Sequence, residues 1–311
     1  MRQKATSLTS DMVPKADGEP ADSVPDGEVA AEHSVQPDVR PRRASFPEGW
    51  WRPEPGARPL VLGHRGASAR APQNTLAAFR EAQSVGADGV ELDVHLSADG
   101  VPVVIHDYHV DGTTDGHGAV SAMTLAEIRR LDAGIGFGPA FAGEPVPTLT
   151  EVLEALDHRM RVNIELKAPP RGLGVPLEAE GRLVQLEDAV AEVVVREGAQ
   201  SRVWFSSFKP YSLYRIRQLL PEVPCGLLMS PLTAPAALLA PLTPMEAVHL
   251  HHSMCRYWVV RLLQRRGRRV VAWTVDDPVV IAKLTAYGVD GLISNDPGAV
   301  LRQIGHSKPA G

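Results

Sequence analysis

The sequence lacks most features that would place it outside a reducing, aqueous compartment. It has only two cysteines, Cys225 and Cys255, so disulfide bonds do not hold the fold together. Residues 1–20 contain no apolar stretch of the kind that a secretory signal needs, and no run of about 18 apolar residues occurs elsewhere. These absences predict a cytoplasmic protein without stable membrane insertion.

A large excess of charge of one sign is also missing. The formal net charge is −5 over 311 residues, too small for nucleic acid or an acidic membrane to be the main partner. Hydrophobic residues make up 44% and charged residues 22% of the chain, which is the ordinary balance of a soluble enzyme. The chain is long enough to form one large core.

Aromatic residues are missing from the first part of the chain. Residues 1–57 are rich in Pro, Asp, Glu, Ser and Ala, and no Phe, Tyr or Trp precedes Phe46. Because such a segment buries too little apolar surface to offset the entropy of ordering, we expect a disordered tail. Only its end is expected to dock on the folded domain, through Trp50 and Trp51. The folded domain is expected over residues 58–306, followed by a short tail at 307–311.

From Leu60 onward, short apolar runs alternate with helical patterns, which is typical of a parallel sheet with crossover helices. The predicted strands are Leu60–Leu62, Gly89–Val94, Val103–His106, Val162–Glu165, Val203–Ser206, Gly226–Met229, Ala247–His251, Val270–Trp273 and Gly291–Ser294. The predicted helices are Thr75–Val85, Leu149–Leu156, Arg182–Arg196, Pro210–Leu219, Tyr257–Arg266 and Pro278–Tyr287, with a short one near Leu125–Leu131.

Nine strands are one too many for an eight-stranded barrel, and the connection from Val94 to Val103 explains the extra strand. This connection contains Asp99-Gly100, a hairpin signal, and is too short for a parallel crossover. We therefore predict that the second strand passes the barrel rim and that an antiparallel return strand brings His106 back. The expected fold is α/β, a TIM (β/α)8 barrel with a small insertion, residues 108–146, after the second strand's hairpin.

Ionisable side chains gather at the predicted strand ends, where TIM barrels carry their chemistry. Residues two apart on a strand point to the same face, so pairs of this kind share one small volume. Their concentration at one end of the barrel predicts an active site. The set consists of His64 and Arg65 after the first strand, Glu91 and Asp93 on the second, His106 after the hairpin, and Glu165 and Lys167 at the fourth.

The composition of this set favours phosphoryl chemistry around a metal ion. Three carboxylates that converge do not all stay ionised without a cation between them, and an all-oxygen ligand set favours Mg²⁺, Ca²⁺ or Mn²⁺ over Zn²⁺. Arg65 and Lys167 fit an anion bound at the same place. His64 and His106 would then transfer protons, one to the leaving oxygen and one from the nucleophile.

Several motifs follow one another through residues 59–305. The motifs read His64-Arg65-Gly66, Pro72-Gln73-Asn74-Thr75, Gly86-Ala87-Asp88, Glu91-Leu92-Asp93-Val94, Asp99-Gly100, Val103-Val104-Ile105-His106-Asp107, Glu165-Leu166-Lys167 and Trp273-Thr274-Val275. This ordered series resembles the glycerophosphodiester phosphodiesterase family, whose members are TIM barrels of the phospholipase-C-like type.

The resemblance implies hydrolysis of a small glycerophosphodiester to glycerol 3-phosphate and an alcohol, with one divalent metal ion as cofactor. Direct attack by water and a cyclic phosphate intermediate are both compatible with a pair of histidines. The implied roles are Glu91, Asp93 and Glu165 as metal ligands, His64 and His106 as the acid–base pair, Arg65 and Lys167 as the phosphate clamp, and Phe208 and Trp273 as apolar walls beside the alcohol.

Two positions depart from the family pattern, and two other functions remain open. Gln73 stands where the family usually has Glu, and Gly112 where an Arg commonly precedes the two threonines, so we expect a weaker supporting hydrogen bond and an altered rim. Hydrolysis of a lysophospholipid, as by a lysophospholipase D, would need an apolar groove, which the segment from Met229 to Leu242 could provide. A non-catalytic phosphate-binding barrel would require a missing chemical group, and none is missing.

Overall fold

The computed structural model describes residues 45–46, 50, 58–167, 177–233 and 244–305, with the backbone alone for 177–185. Most of the predicted N-terminal tail, the predicted tail at 307–311 and much of the Met229 to Leu242 segment lie outside the described residues. None of the helices in the described ranges is long and apolar enough to cross a membrane.

The regular elements alternate along the chain as the apolar pattern predicts. The strands are β1 (Leu60–His64), β2 (Gly89–Leu96), β3 (Pro102–Val104), β4 (Arg161–Leu166), β5 (Val203–Ser207), β6 (Cys225–Met229), β7 (Ala247–His251), β8 (Arg269–Trp273) and β9 (Gly291–Ser294). The α-helices are α1 (Leu76–Ser84), α2 (Leu125–Ile128), α3 (Leu149–Ala155), α4 (Leu177–Arg196), α5 (Pro210–Leu219), α6 (Tyr257–Arg265), α7 (Pro278–Tyr287) and α8 (Pro297–Gly305).

The sheet closes on itself into a parallel barrel of eight strands. Neighbouring strands follow the order β1-β9-β8-β7-β6-β5-β4-β2, and β1 also pairs with β2. The ninth strand, β3, is antiparallel to β2, with Val94 opposite Val104 and Gly100 at a φ of 83° in the turn. The predicted TIM barrel with a hairpin on its second strand is therefore confirmed.

Several elements differ from the sequence prediction. Helix α4 begins at Leu177 rather than at Arg182, and β2 extends to Leu96 rather than ending at Val94. The return strand β3 ends at Val104, so His106 lies in the loop after it rather than on the strand. Helix α8 was not predicted, although Asp296 accepts a hydrogen bond from the Ala299 N–H at 2.8 Å and Pro297 opens the helix. This is the same Asp-Pro start that the sequence shows at Asp277-Pro278, where Asp277 caps α7.

The insertion after β3 carries a small apolar core of its own. Because this core includes residues of β3 and of the loop that follows it, the insertion packs directly on the hairpin that positions His106. The buried members are Val103, Ile105, Val110, Val120, Ile128 and Val146, with Met123, Leu125, Leu131 and Ala133 packed against them.

Trp50 fills the barrel at the amino end of its strands. Its side chain is 5% exposed and belongs to a cluster with Leu60, Leu62, Trp204, Val271 and Ile293. The Trp50 and Trp204 rings are 5.8 Å apart and nearly perpendicular, a favourable edge-to-face arrangement. The expected docking of Trp50 is confirmed, whereas Trp51 lies outside the described residues.

Replacing Trp50 with alanine is expected to lower the free energy of unfolding by about 3–5 kcal/mol, because a large aromatic side chain leaves a cavity in the barrel. Urea unfolding followed by circular dichroism measures this loss. Trp258→Ala is the matched control, since Trp258 is 67% exposed and its removal should cost less than about 0.5 kcal/mol. Equal losses in the two variants would contradict the docking of Trp50.

Candidate active site

The turn after β1 places Arg65 in contact with the carboxylates of β2. Arg65 has a φ of 55°, a left-handed conformation that non-glycine residues seldom adopt. Its N–H donates to Glu91 Oε2 at 3.0 Å, and its Nε lies 3.3 Å from Asp93 Oδ2. At Gly66 a Cβ would lie 2.6 Å from the backbone of Ala78, so only glycine fits this turn.

Three buried carboxylates meet at the carboxyl ends of β2 and β4. Asp93 is directly opposite Glu165 in the parallel pairing, and Glu91 precedes Asp93 on the same face. One oxygen from each lies within 4.8 Å of the others, and the three residues are 4%, 1% and 8% exposed. The sequence prediction that they share one small volume is therefore confirmed.

Two cations partly neutralise this cluster. Lys167 Nζ lies 3.0 Å from Glu165 Oε1 and 3.5 Å from Asp93 Oδ1, on the side opposite to the Arg65 contact. Burial alone would raise the pKa of Asp93, but Lys167 and Arg65 outweigh it and lower that pKa to about 2. Burial would lower the pKa of Lys167, yet Asp93 and Glu165 raise it above its ordinary value.

The negative charge that remains fits a divalent cation. Burial, followed by the charges of Asp93 and Glu165, raises the pKa of Glu91 well above its ordinary value. Burial and Asp93 raise the pKa of Glu165 to about 7. Asp93 Oδ1 accepts no hydrogen bond from the part of the chain that the structure describes, so an oxygen lone pair is available inside the cluster. A hard cation bound by oxygen ligands would satisfy all three groups.

Divalent-ion affinity is expected to weaken as the pH falls through neutrality. The pKa values of Glu91 and Glu165 are raised, that of Glu165 to about 7. In the absence of a metal ion, these carboxyl groups therefore bind protons as the pH falls below neutrality. A bound cation must displace these protons, so each one released should weaken the apparent affinity about tenfold per pH unit below its pKa. Calorimetric titration with Mn²⁺ from about pH 5.5 to 8.5 tests this, and a pH-independent Kd would contradict it.

His64 is held through Nδ1. Nδ1 lies 2.7 Å from Asn295 Oδ1, an atom that also accepts a hydrogen bond from Ser68 Oγ. Burial and the neighbouring Arg65 lower the pKa of His64 to about 4, although Asn295 opposes the shift. The ring is therefore neutral at pH 7, and Nε2 can accept a proton.

His106 is held by a charged partner instead. Its Nδ1 lies 2.7 Å from Asp107 Oδ1, and the preceding Ile105 N–H donates to the Asp93 carbonyl at 3.0 Å. His95 Nε2 lies 3.0 Å from the His106 carbonyl and fixes the backbone from the other side. Burial lowers the pKa of His106, and the charges of Lys167 and Arg65 add to this effect. Asp93 and the hydrogen bond to Asp107 oppose it by stabilising the imidazolium, but the pKa stays below its ordinary value.

Asn74 is a site residue whose contacts the sequence reasoning missed. Its Nδ2 donates to Asp93 Oδ2 at 2.9 Å, and its Oδ1 accepts from the Asp93 N–H at 3.3 Å. The sequence analysis placed Asn74 in the family motif at residues 72–75 and at a helix start but gave it no role in the site. Thr75 does cap α1 by accepting from Ala78 N. The unused signal was the residue type itself, since Asn tolerates better than most residues the left-handed conformation that Asn74 adopts, with a φ of 59°.

The two departures from the family pattern have local consequences. Gln73 accepts a hydrogen bond from Arg65 through Oε1, so the supporting contact is kept without the charge of a glutamate. At Gly112 a Cβ would lie 2.7 Å from Asp107 Oδ2, which means that this position makes room for the partner of His106. A larger side chain there would displace Asp107.

Phe208 and Trp273 are close together at the same end of the barrel. Their ring centroids are 5.7 Å apart with an interplanar angle of 83°, and the Trp273 indole N–H donates to the His249 carbonyl at 3.0 Å. A cleft of about 490 Å³ opens on another side, lined by Ser68, Gln73, Phe137, Asp276 and Asn295 among others. The residues assigned from the sequence thus lie at the end of the barrel where its parallel strands finish, or in the loops that follow. Glu91 lies earlier in β2, but it is level with His64, the last residue of β1.

Known proteins are similar to this chain in sequence. The sequence pattern of the glycerophosphoryl diester phosphodiesterase family matches residues 64–299. A glycerophosphodiester phosphodiesterase from Caldanaerobacter subterraneus subsp. tengcongensis is 39% identical over 251 residues, which cover 79% of this chain and 97% of the relative.

Solved structures agree with the sequence match. An Oleispira antarctica phosphodiesterase in complex with the product sn-glycerol-3-phosphate has a TM-score of 0.71 and 34% identity, covering 80% of this chain and 97% of its own. A glycerophosphodiester phosphodiesterase from Agrobacterium tumefaciens has a TM-score of 0.66 and 30% identity, covering 78% of this chain and 99% of its own. Since the match runs from the first histidine of the site to the last helix of the barrel, the chain belongs to the glycerophosphoryl diester phosphodiesterase family.

Proposed function

We propose that this protein is a phosphoric diester hydrolase that converts glycerophosphodiesters to glycerol 3-phosphate and an alcohol. The observation that carries the proposal is the convergence of three carboxylates, two cations and two histidines at one end of the barrel. Each group has a task in phosphodiester cleavage, and the Oleispira relative is described with sn-glycerol-3-phosphate as its product.

Arg65 and Lys167 would bind the phosphate. Both already lie against Asp93, so their positions are fixed before any substrate arrives. Arg offers a planar pair of donors and Lys a compact charge, which suits two different oxygens of a phosphodiester. Because the groups that bind the anion are preorganised, little of the binding energy is lost in ordering them.

Glu91, Asp93 and Glu165 would hold one divalent metal ion, and their oxygen ligands fit Mg²⁺, Ca²⁺ or Mn²⁺. When bound there, such an ion polarises the phosphoryl oxygens and stabilises the charge that develops on them. Asn74 keeps Asp93 oriented, because its amide nitrogen donates to the Asp93 carboxylate and its amide oxygen accepts from the Asp93 N–H.

The hydrogen-bond partners of the two histidines support different roles. His64 contacts a neutral amide oxygen through Nδ1, so its free Nε2 is suited to take a proton from the nucleophile. His106 contacts the Asp107 carboxylate, which favours the protonated ring and suits it to protonate the leaving oxygen. Phe208 and Trp273 would form an apolar wall for the substrate's alcohol.

Lysophospholipid hydrolysis remains a second candidate because of one feature of the insertion. Ile135 and Phe137 are 57% and 41% exposed, and they line a pocket of about 220 Å³ beside Gln73. An exposed apolar pair next to the site can contact an acyl chain. The same catalytic groups would then act on a substrate with one acyl chain.

The deciding experiment measures glycerol 3-phosphate release from glycerophosphocholine and glycerophosphoethanolamine, and head-group release from a lysophospholipid, with Mg²⁺, Ca²⁺, Mn²⁺ or EDTA. We expect turnover of the soluble diesters that EDTA abolishes and one of the three ions restores. Activity confined to the lysophospholipid would favour the second candidate. Full activity in EDTA would contradict the metal proposal.

Two further parts of the proposal rest on the sequence. Residues 58–306 would form the catalytic domain, with residues 108–146 as its insertion. A cytoplasmic location also stays a prediction. Activity of a variant that begins at residue 58 would test the domain boundary, although loss of Trp50 is expected to lower its stability.

A further inference from the structure

The register of the barrel brings His64 and Asn295 side by side. β1 and β9 are parallel neighbours in which Gly63 is opposite Ser294, so the next residues along the two chains are His64 and Asn295. Their side chains meet at 2.7 Å, between His64 Nδ1 and Asn295 Oδ1. Since both residues directly follow paired strand positions, the closure of the barrel itself fixes this contact.

Asp276 determines which atom of the Asn295 amide faces His64. Asn295 Nδ2 donates to Asp276 Oδ2 at 2.6 Å, and the Asn295 N–H and Ser294 Oγ both donate to Asp276 Oδ1 at 2.8 Å. A carboxylate only accepts hydrogen bonds, so the amide NH₂ must point to Asp276 and the amide oxygen to His64. The opposite orientation would place two acceptor oxygens against each other.

We propose that Asn295, oriented by Asp276, is a positioning residue that keeps the ring proton of His64 on Nδ1 and so leaves Nε2 free to accept a proton. The amide oxygen carries no hydrogen, so the bond requires Nδ1–H. Ser68 Oγ donates to the same oxygen at 2.9 Å, which anchors it from a second side. The inference rests on the proposed function, in which His64 takes a proton from the nucleophile.

The neutral partner distinguishes His64 from His106. Both rings are held at Nδ1, but His106 faces the Asp107 carboxylate whereas the Asp276 charge reaches His64 only through the intervening amide. Asn295 therefore fixes the tautomer of His64 without placing a full negative charge beside its ring. If Asn295 were lost, the proton could move to Nε2, and that tautomer cannot act as a base through Nε2.

The first test removes the amide. Asn295→Leu is expected to lower kcat by between about tenfold and a thousandfold, with KM changed less than about threefold, because a histidine in the wrong tautomer loses catalysis rather than substrate binding. Asp276→Asn should give a smaller loss in the same direction. Asp277→Asn is the matched control, since this neighbouring aspartate caps α7 and should leave kcat unchanged.

The second test exchanges the two groups. In the double variant Asp276→Asn/Asn295→Asp, the introduced amide can donate to the introduced carboxylate, whose other oxygen still accepts from His64. We expect kcat to recover to within about tenfold of the wild type, while the acid limb of the kcat/KM profile moves to higher pH because a carboxylate now faces the ring. Equal melting temperatures of the single variants and the wild type would exclude a folding defect as the cause of the single-variant losses.

The third test observes the tautomer directly. In protein labelled with ¹⁵N-histidine, NMR should show the His64 proton on Nδ1 in the wild type and the double variant, and on Nε2 in part of the Asn295→Leu molecules. A wild-type proton on Nε2 would overturn the inference. So would wild-type kcat in Asn295→Leu when His64→Ala is inactive. If the wild type hydrolyses no glycerophosphodiester, the proposed function fails, and the NMR result still decides the tautomer.

Discussion

Asp93→Asn is expected to lower metal-dependent turnover by about three orders of magnitude, since loss of a charged metal ligand removes several kcal/mol of transition-state stabilisation. The change keeps the size of the side chain, so the fold should survive. Asp93 also balances Arg65 and Lys167, which lie 3.3 Å and 3.5 Å from its oxygens. Its removal is therefore expected to weaken the proposed metal site and, at the same time, to release both cations that are proposed to bind the phosphate.

Saturation with metal distinguishes weak binding from lost chemistry. Rates measured at rising Mg²⁺ or Mn²⁺ should stay depressed at saturation, because the misplaced cations persist even when a metal ion is bound. Asp99→Asn makes the same chemical change on the turn of the same hairpin, where the carboxylate accepts from Ser97 Oγ and Leu125 N, and it should leave the rate unchanged. An Asp93→Asn rate equal to the wild type at saturating metal would refute the ligand assignment.

The central carboxylates could be predicted because they obey a local rule. Residues two apart on a strand share a face, so the sequence alone is enough to group Glu91 with Asp93 on β2, and Glu165 with Lys167 at β4. The hairpin was also predictable, because the connection is too short for a crossover and Asp99-Gly100 fits a tight turn. In both cases the information lies within a few residues along the chain.

The supporting contacts were not predictable for the opposite reason. Asn74 reaches Asp93 only because its turn and β2 meet in three dimensions, and Asn295 reaches His64 through the pairing of the first and last strands of the barrel. The partner of His64 is more than two hundred residues away in the sequence, whereas the partner of His106 is its neighbour Asp107. Only the register of the closed barrel reveals the difference between the two histidines.

His106→Ala is expected to lower kcat by about a hundredfold to ten-thousandfold on glycerophosphocholine, the usual contribution of a general acid. The loss should nearly disappear with a glycerophosphodiester of p-nitrophenol, because that alcohol leaves as a stable anion and needs no proton. His64→Ala should be impaired on both substrates, since the nucleophile must lose its proton in either case.

Comparing the rates on the two substrates distinguishes the loss of a general acid at His106 from a general loss of structure, which would lower both rates. His117→Ala is the matched control: His117 pairs with Asp111 at 3.2 Å on the exposed surface of the insertion, and its removal should leave both rates unchanged. Asp107→Asn should reproduce the His106→Ala pattern in weaker form, because an amide at this position stabilises the imidazolium less than a carboxylate does. The opposite result would be an equal loss of rate on both substrates in His106→Ala, with a near-normal rate of His64→Ala on the p-nitrophenol diester. The two histidines would then exchange roles. Asp107 would in that case orient the His106 ring rather than keep its proton.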